Sequence, residues 1–166
     1  MLNAFAAWLS TTPLTTFLEN AEWAVPAIQS LHIFSIAIVF GGAAFVSLRV
    51  FGLLEADQPL SQVLARFVPP LEAAVVVLAV TGVLLIASEP NRAIFRVVFW
   101  VKMVLIAAAL AATWALRRLA AGPLATASSA PLSHRLLAAA SLALWIGVIF
   151  TGRWIGYVSG WPGSPT

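Results

Sequence analysis

The chain has 166 residues, 61% of them hydrophobic and only 9% charged, with a mean hydropathy of +0.98. A soluble domain carries about 25% charged residues, so this composition excludes a water-soluble globular protein and reads as an integral membrane protein. There is no cysteine, which excludes disulfides, thiolate metal sites and cysteine nucleophiles. The net charge of +3 sits in arginines beside hydrophobic runs, so it speaks for membrane topology and not for nucleic acid.

The first 24 residues lack the positive n-region of a signal peptide. Ser10-Thr11-Thr12-Pro13 has the form of a helix N-cap with proline at the first turn. Leu14, Phe17, Leu18 and Ala21 follow at helical spacing, with Glu19 and Glu22 off that face. The segment 1–24 therefore predicts a short amphipathic helix at the membrane interface. The transmembrane domain is expected over 25–158, leaving a short tail at 159–166. Its spans are about 25–48, 71–88, 95–116 and 136–157, each near the roughly 20 residues a crossing needs. Pro26 and Pro69-Pro70 suit helix starts, and Glu89-Pro90-Asn91 suits a closing turn. The stretch 121–131, rich in Gly, Pro, Ser and Thr, reads as a loop. The expected fold class is all-α, an integral membrane four-helix bundle behind one interfacial helix. No internal repeat or second domain emerges.

Lysine and arginine placement sets the expected orientation. Arg49, Arg66, Arg117, Arg118 and Arg135 follow the first and third spans, whereas only Arg92 and Arg96 lie on the other side. The N-terminal tail carries Glu19 and Glu22 and no basic residue. This predicts a multi-pass protein of the bacterial inner membrane with both termini outside. Trp8, Trp23, Trp100 and Trp161 then fit an outer aromatic belt.

Ionisable groups inside spans are costly and mark functional sites by default. At about 1.5 Å rise per residue, His32 lies about 9 Å below the outer end of its helix. Lys102 lies about 10 Å down the third helix, and Arg153 about 6 Å from the outer end of the fourth. Glu89 closes the second on the same side. Each span thus adds one ionisable group to the outer half. Gln29 and Ser35 flank His32 at i−3 and i+3, and Thr151 and Trp154 join the layer. On the inner side, Arg49 and Glu72 are expected to pair, and His134 reads as a solvated loop residue a membrane thickness from His32, too far to share a metal or haem with it. Plainer readings stand beside these. In them His32 serves only one helix-to-helix hydrogen bond, Lys102 and Arg153 snorkel, and Gly41–Ala44 and Ala107–Ala112 are close-packing surfaces. The convergence of four helices on one level favours a site.

Leu31-His32, Gly41-Gly42 and Arg49, with Thr81-Gly82 and the stretch Phe99-Trp100-Val101-Lys102-Met103-Val104-Leu105, resemble two bacterial membrane families. These are the HemJ-type protoporphyrinogen oxidases and the copper-resistance D (CopD-like) membrane domains. The ending Gly152-Arg153-Trp154-Ile155-Gly156-Tyr157-Val158 resembles a further bacterial branch. The resemblance implies haem b near His32 and Lys102, the positions tied to haem in the HemJ-type family. It further implies His32 as an axial ligand to the haem iron, with Met103 or Lys102 across from it or that face left open. Arg153, Arg92 or Arg96 would meet the propionates, and Phe34, Phe99 and Trp100 would line the ring. Two features depart from these families. Arg49 is followed by Val-Phe-Gly-Leu and no further histidine. A copper path wants soft sulfur ligands, and here Met103 is the only internal methionine.

The leading expectation is therefore a small haem b protein of electron transfer or redox chemistry, with a haem-dependent oxidoreductase as its enzymatic form and a redox partner. The second is a non-catalytic subunit or scaffold of a larger membrane complex. In it Gln29, Glu89, Arg49 and Glu72, with His32, Lys102 and Arg153, form a structural polar network, and homo-oligomers are compatible. The third is a proton- or solute-transport element using His32 and Glu89.

Overall fold

A computed structural model describes residues 2–54, 60–120, 131–155 and 157. Its elements are α1 (Leu2–Ser10), α2 (Pro13–Asn20), α3 (Ala24–Phe51), α4 (Leu60–Ser88), α5 (Pro90–Ile94), α6 (Val97–Ala120) and α7 (Leu132–Trp154). The fold is all-α, and α3, α4, α6 and α7 are long and apolar enough to cross a membrane. They pack as a four-helix bundle. The expected loop at 121–130, Trp161 and the tail 159–166 lie outside the described residues.

The single interfacial helix expected at the N-terminus is two helices. Thr12 breaks the path. Its backbone is extended (φ −75°, ψ 147°), its Oγ1 accepts from Thr15 N, and Pro13 opens α2, the arrangement read from the sequence. α1 packs on α5 through Ala6, Ile94 and Phe95. α2 packs on the end of α4 through Leu18 and Ala87. Thr15 Oγ1 lies 2.9 Å from the Ala87 carbonyl oxygen and 2.8 Å from that of Leu9. Phe5, Trp8, Leu14 and Phe17 face outward, as an interfacial segment requires.

α3 ends in a Schellman motif. Gly52 adopts φ +78°, and Leu53 N bonds Leu48 O at 3.0 Å. α4 departs from expectation. It does not start at Pro69-Pro70 but runs through both prolines from Leu60. Proline inside a helix removes a ladder bond and crowds the preceding turn. Here the upstream turns are held by packing: Leu64 and Val68 bury against Val46 of α3, and Phe67 stacks on Phe45 at 4.1 Å. The turn expected at Glu89–Asn91 is the start of α5. Phe95, expected to open the third span, is buried at the α5–α6 junction, so α6 begins at Val97.

The bundle consists of two hairpins, α3 with α4 and α6 with α7, joined where α3 packs on α7, while α4 and α6 barely meet. Val39, Ala43, Leu71, Ala74, Ala109, Trp145 and Val148 form the shared core. The hairpins close on small residues. A Cβ at Gly42 would lie 3.4 Å from Leu71, and one at Gly147 would lie 3.4 Å from Leu105. Elsewhere the apolar side chains point outward: Ile33, Phe34, Val76 and Val104 are all exposed. That distribution suits lipid as solvent, since helices in a bilayer gain nothing by hiding leucine from an equally apolar surround.

Candidate functional site

His32 on α3 is half-buried, and its Nδ1 lies 2.7 Å from Thr81 Oγ1 on α4. The Thr81 hydroxyl is 2.7 Å from the Val77 carbonyl oxygen, to which it donates. A hydroxyl has one hydrogen, so Thr81 accepts from His32 and the imidazole carries its proton on Nδ1. In the neutral imidazole Nε2 is then the lone-pair nitrogen, and no hydrogen bond to it is formed among the described residues. The ring packs on Gly82, where a Cβ would lie 3.8 Å from His32 Cε1.

Lys102 on α6 is half-buried and lies against α7. Its Nζ is 3.4 Å from where a Cβ on Gly152 would sit. α3 supplies the imidazole and α4 its acceptor, with Gly82 giving the ring room, while α6 sets the ammonium against Gly152 of α7.

The other expected members lie apart from this pair. Gln29 is exposed. Ser35 is buried but donates to Leu31 O of its own helix at 2.9 Å. Arg153 is exposed, with its guanidinium carbon 5.5 Å from the Tyr157 ring centroid. Trp100 donates from Nε1 to Ile94 O at 3.1 Å, which places it at the α5 rim. Met103, half-buried, is rotated about 100° from Lys102 around the helix. Phe34 faces outward, away from the bundle, because it lies two positions from His32 on the helix. Thr151 bonds Gly147 O within α7. Arg96 donates to Ile155 O and ties the start of α6 to the end of α7. Glu89 is exposed at the end of α4, beside Glu19 and Glu22, on a cavity of about 390 Å³.

At the opposite end, Glu72 pairs with Arg117 of α6 and not with Arg49, which is itself buried. Depth counting put Arg49 and Glu72 at one level, but a shared level does not fix which way each helix turns its side chain. His134 is no solvated loop residue either. It stands in the first turn of α7, with a buried Nε2 that lacks a partner among the described residues. A second polar cluster escaped the sequence. Trp145 Nε1 donates to Thr113 Oγ1 at 3.2 Å, and Ser141 Oγ lies 3.2 Å from the same oxygen. Threonine and serine in an apolar run bond their own helix as easily as a neighbour, so only an inward-facing tryptophan hinted at it.

These features define a small multi-pass membrane protein, a four-helix bundle with a histidine–threonine pair between α3 and α4. The chain belongs to a family of unknown function, DUF6644, which matches residues 7–158. That match carries no link to the HemJ-type or copper-resistance D families. No curated protein and no solved structure matches the chain.

Proposed function

We propose that the His32 site holds haem b, with His32 Nε2 as an axial ligand, and that the protein serves electron transfer or redox chemistry. The observation that carries this reading is the proton arrangement on His32. Metal-binding histidines almost always donate their second ring N–H to a fixed acceptor, which sets the tautomer. Here Thr81 is that acceptor. The donor set favours a haem over a bare ion. Among the described residues no group of three His, Cys, Asp or Glu side chains is assembled, whereas a porphyrin brings four nitrogens and asks the protein for one or two axial ligands. Bound haem would supply one-electron chemistry. Thr81 orients the imidazole, the outward apolar faces exclude water, and Lys102 offers an ammonium to a carboxylate on the bound group.

The test is the visible spectrum of the protein purified in mild detergent, oxidised and dithionite-reduced. A Soret band is expected, and it disappears in His32→Ala. A colourless protein from haem-replete cells overturns the proposal. The second reading, a non-catalytic subunit, would then stand, because the His32–Thr81 bond already ties α3 to α4. A co-purifying stoichiometric partner supports that reading.

The arginine distribution supports an inner-membrane location with both termini outside. Alkaline phosphatase fused after the last residue is expected to be active, and an inactive fusion of normal abundance rejects that orientation.

A further inference from the structure

The half of the bundle away from His32 contains a second feature, independent of the haem reading. Because α4 and α6 barely meet, a cavity of about 550 Å³ lies between them, within the usual range for small-molecule sites, about 300–1,000 Å³. Val68, Leu71 and Val75 of α4 and Leu110 and Trp114 of α6 line it. Thr113 and Ser141 also line it, but their hydroxyls are engaged with each other. The walls therefore present hydrocarbon. Pro69 and Pro70 interrupt the α4 ladder at the same level. Glu72 and Arg117 bridge α4 and α6 at the rim, both about half exposed. Arg118, the next residue, reaches back one turn to set its guanidinium 4.1 Å over the Trp114 ring. Arg117 is matched by Glu72, and Arg118 adds a second guanidinium beside the cleft, over a ring that lines it.

We propose that this cleft binds an anionic phospholipid, one acyl chain between α4 and α6 and its phosphate on Arg117 and Arg118. Shape and charge both point to that occupant. An unfilled gap in hydrocarbon forfeits dispersion contacts on both walls, so a chain enters it from the bilayer. Guanidinium groups grip a phosphate with paired hydrogen bonds, and a basic residue at the membrane surface attracts anionic lipid.

The test is native mass spectrometry of the full chain after exchange into detergent with equal phosphatidylglycerol and phosphatidylcholine. One tightly held lipid per chain is expected, with phosphatidylglycerol retained about fivefold over phosphatidylcholine, the effect of one surface charge. Replacing both arginines (Arg117→Gln with Arg118→Gln) should abolish the preference but keep a bound lipid. Ala111→Phe, which projects into the cleft, should lose both lipids. Glu72→Gln should raise the preference, a gain that misfolding does not produce. Equal retention of the two lipids by the wild-type chain overturns the proposal. So does unchanged retention in Ala111→Phe, or a stoichiometric neutral isoprenoid quinone in the organic extract.

Discussion

At the scale of single residues, the molecule is organised by where protons and small side chains sit. His32 stood out in the sequence because an imidazole amid isoleucine and phenylalanine demands a partner. Thr81-Gly82 stood out only through the family resemblance, and not as the partner of His32. Thr81 is a β-branched residue in an apolar helix, and nothing in its neighbours separates a hydroxyl that bonds its own turn from one that also accepts across the bundle. Thr81→Val keeps the shape and removes the acceptor. It is expected to cost about 0.6 kcal/mol, the usual scale of interhelical hydrogen bonds in membrane proteins. Reversible unfolding in mixed micelles measures it, and a double variant with His32→Ala should add nothing further if the two act as one pair. Gly52 gives a second prediction. At φ +78° an added Cβ meets the following carbonyl, so Gly52→Ala should destabilise by about 1 kcal/mol. Unchanged stability would contradict the left-handed cap.

Elements tell a different story, because helix existence was legible and helix limits were not. Four spans follow from length and hydropathy alone, and the Thr12–Pro13 cap was readable as chemistry. Pro69-Pro70 misled for a physical reason. Proline preference for a first turn is a local tendency, and burial of Leu64 and Val68 on α3 outweighs it. The split of the N-terminal segment into α1 and α2 also depends on tertiary contacts, since α1 finds α5 and α2 finds α4. Thr15 is the clasp of that arrangement. Thr15→Val leaves the Ala87 carbonyl without its hydroxyl, whereas Leu9 O keeps its donors on Thr12, a loss of about 1–3 kcal/mol for one buried acceptor. Hydrogen exchange across residues 13–20 should then accelerate well above that of α3. Equal protection in variant and parent would show that the clasp is dispensable.

Taken whole, the molecule separates two kinds of site along its length. Depth counting placed His32 and Lys102 in the same half, and the structure sets His32 on Thr81 of α4 and Lys102 against Gly152 of α7. Glu89, Arg153 and Trp100 share their end of the bundle but not their interior, because a count of residues gives height and not rotation. The cleft at the other end was not legible at all. It exists because two helices fail to meet, and the sequence of neither records that. A whole-molecule consequence is testable by fluorescence. Lipids brominated along the acyl chain should quench the outward tryptophans Trp8, Trp23, Trp100, Trp114 and Trp154 strongly. Trp145, buried in the core, should remain as an unquenched fraction that Trp145→Phe removes.

The partition into α3–α4 and α6–α7 also bears on how the chain is made. Each pair is a helical hairpin that enters and leaves the bilayer on one side, and the contacts between hairpins run mainly through α3 and α7. The ribosome therefore delivers one complete hairpin, with α1, α2 and α5 already able to dock around it, before the second begins. If assembly works in that order, a covalent link between the halves is a convenience of synthesis. Two separately encoded pieces, divided between Phe95 and Arg96, should find each other in the membrane and co-purify as one species.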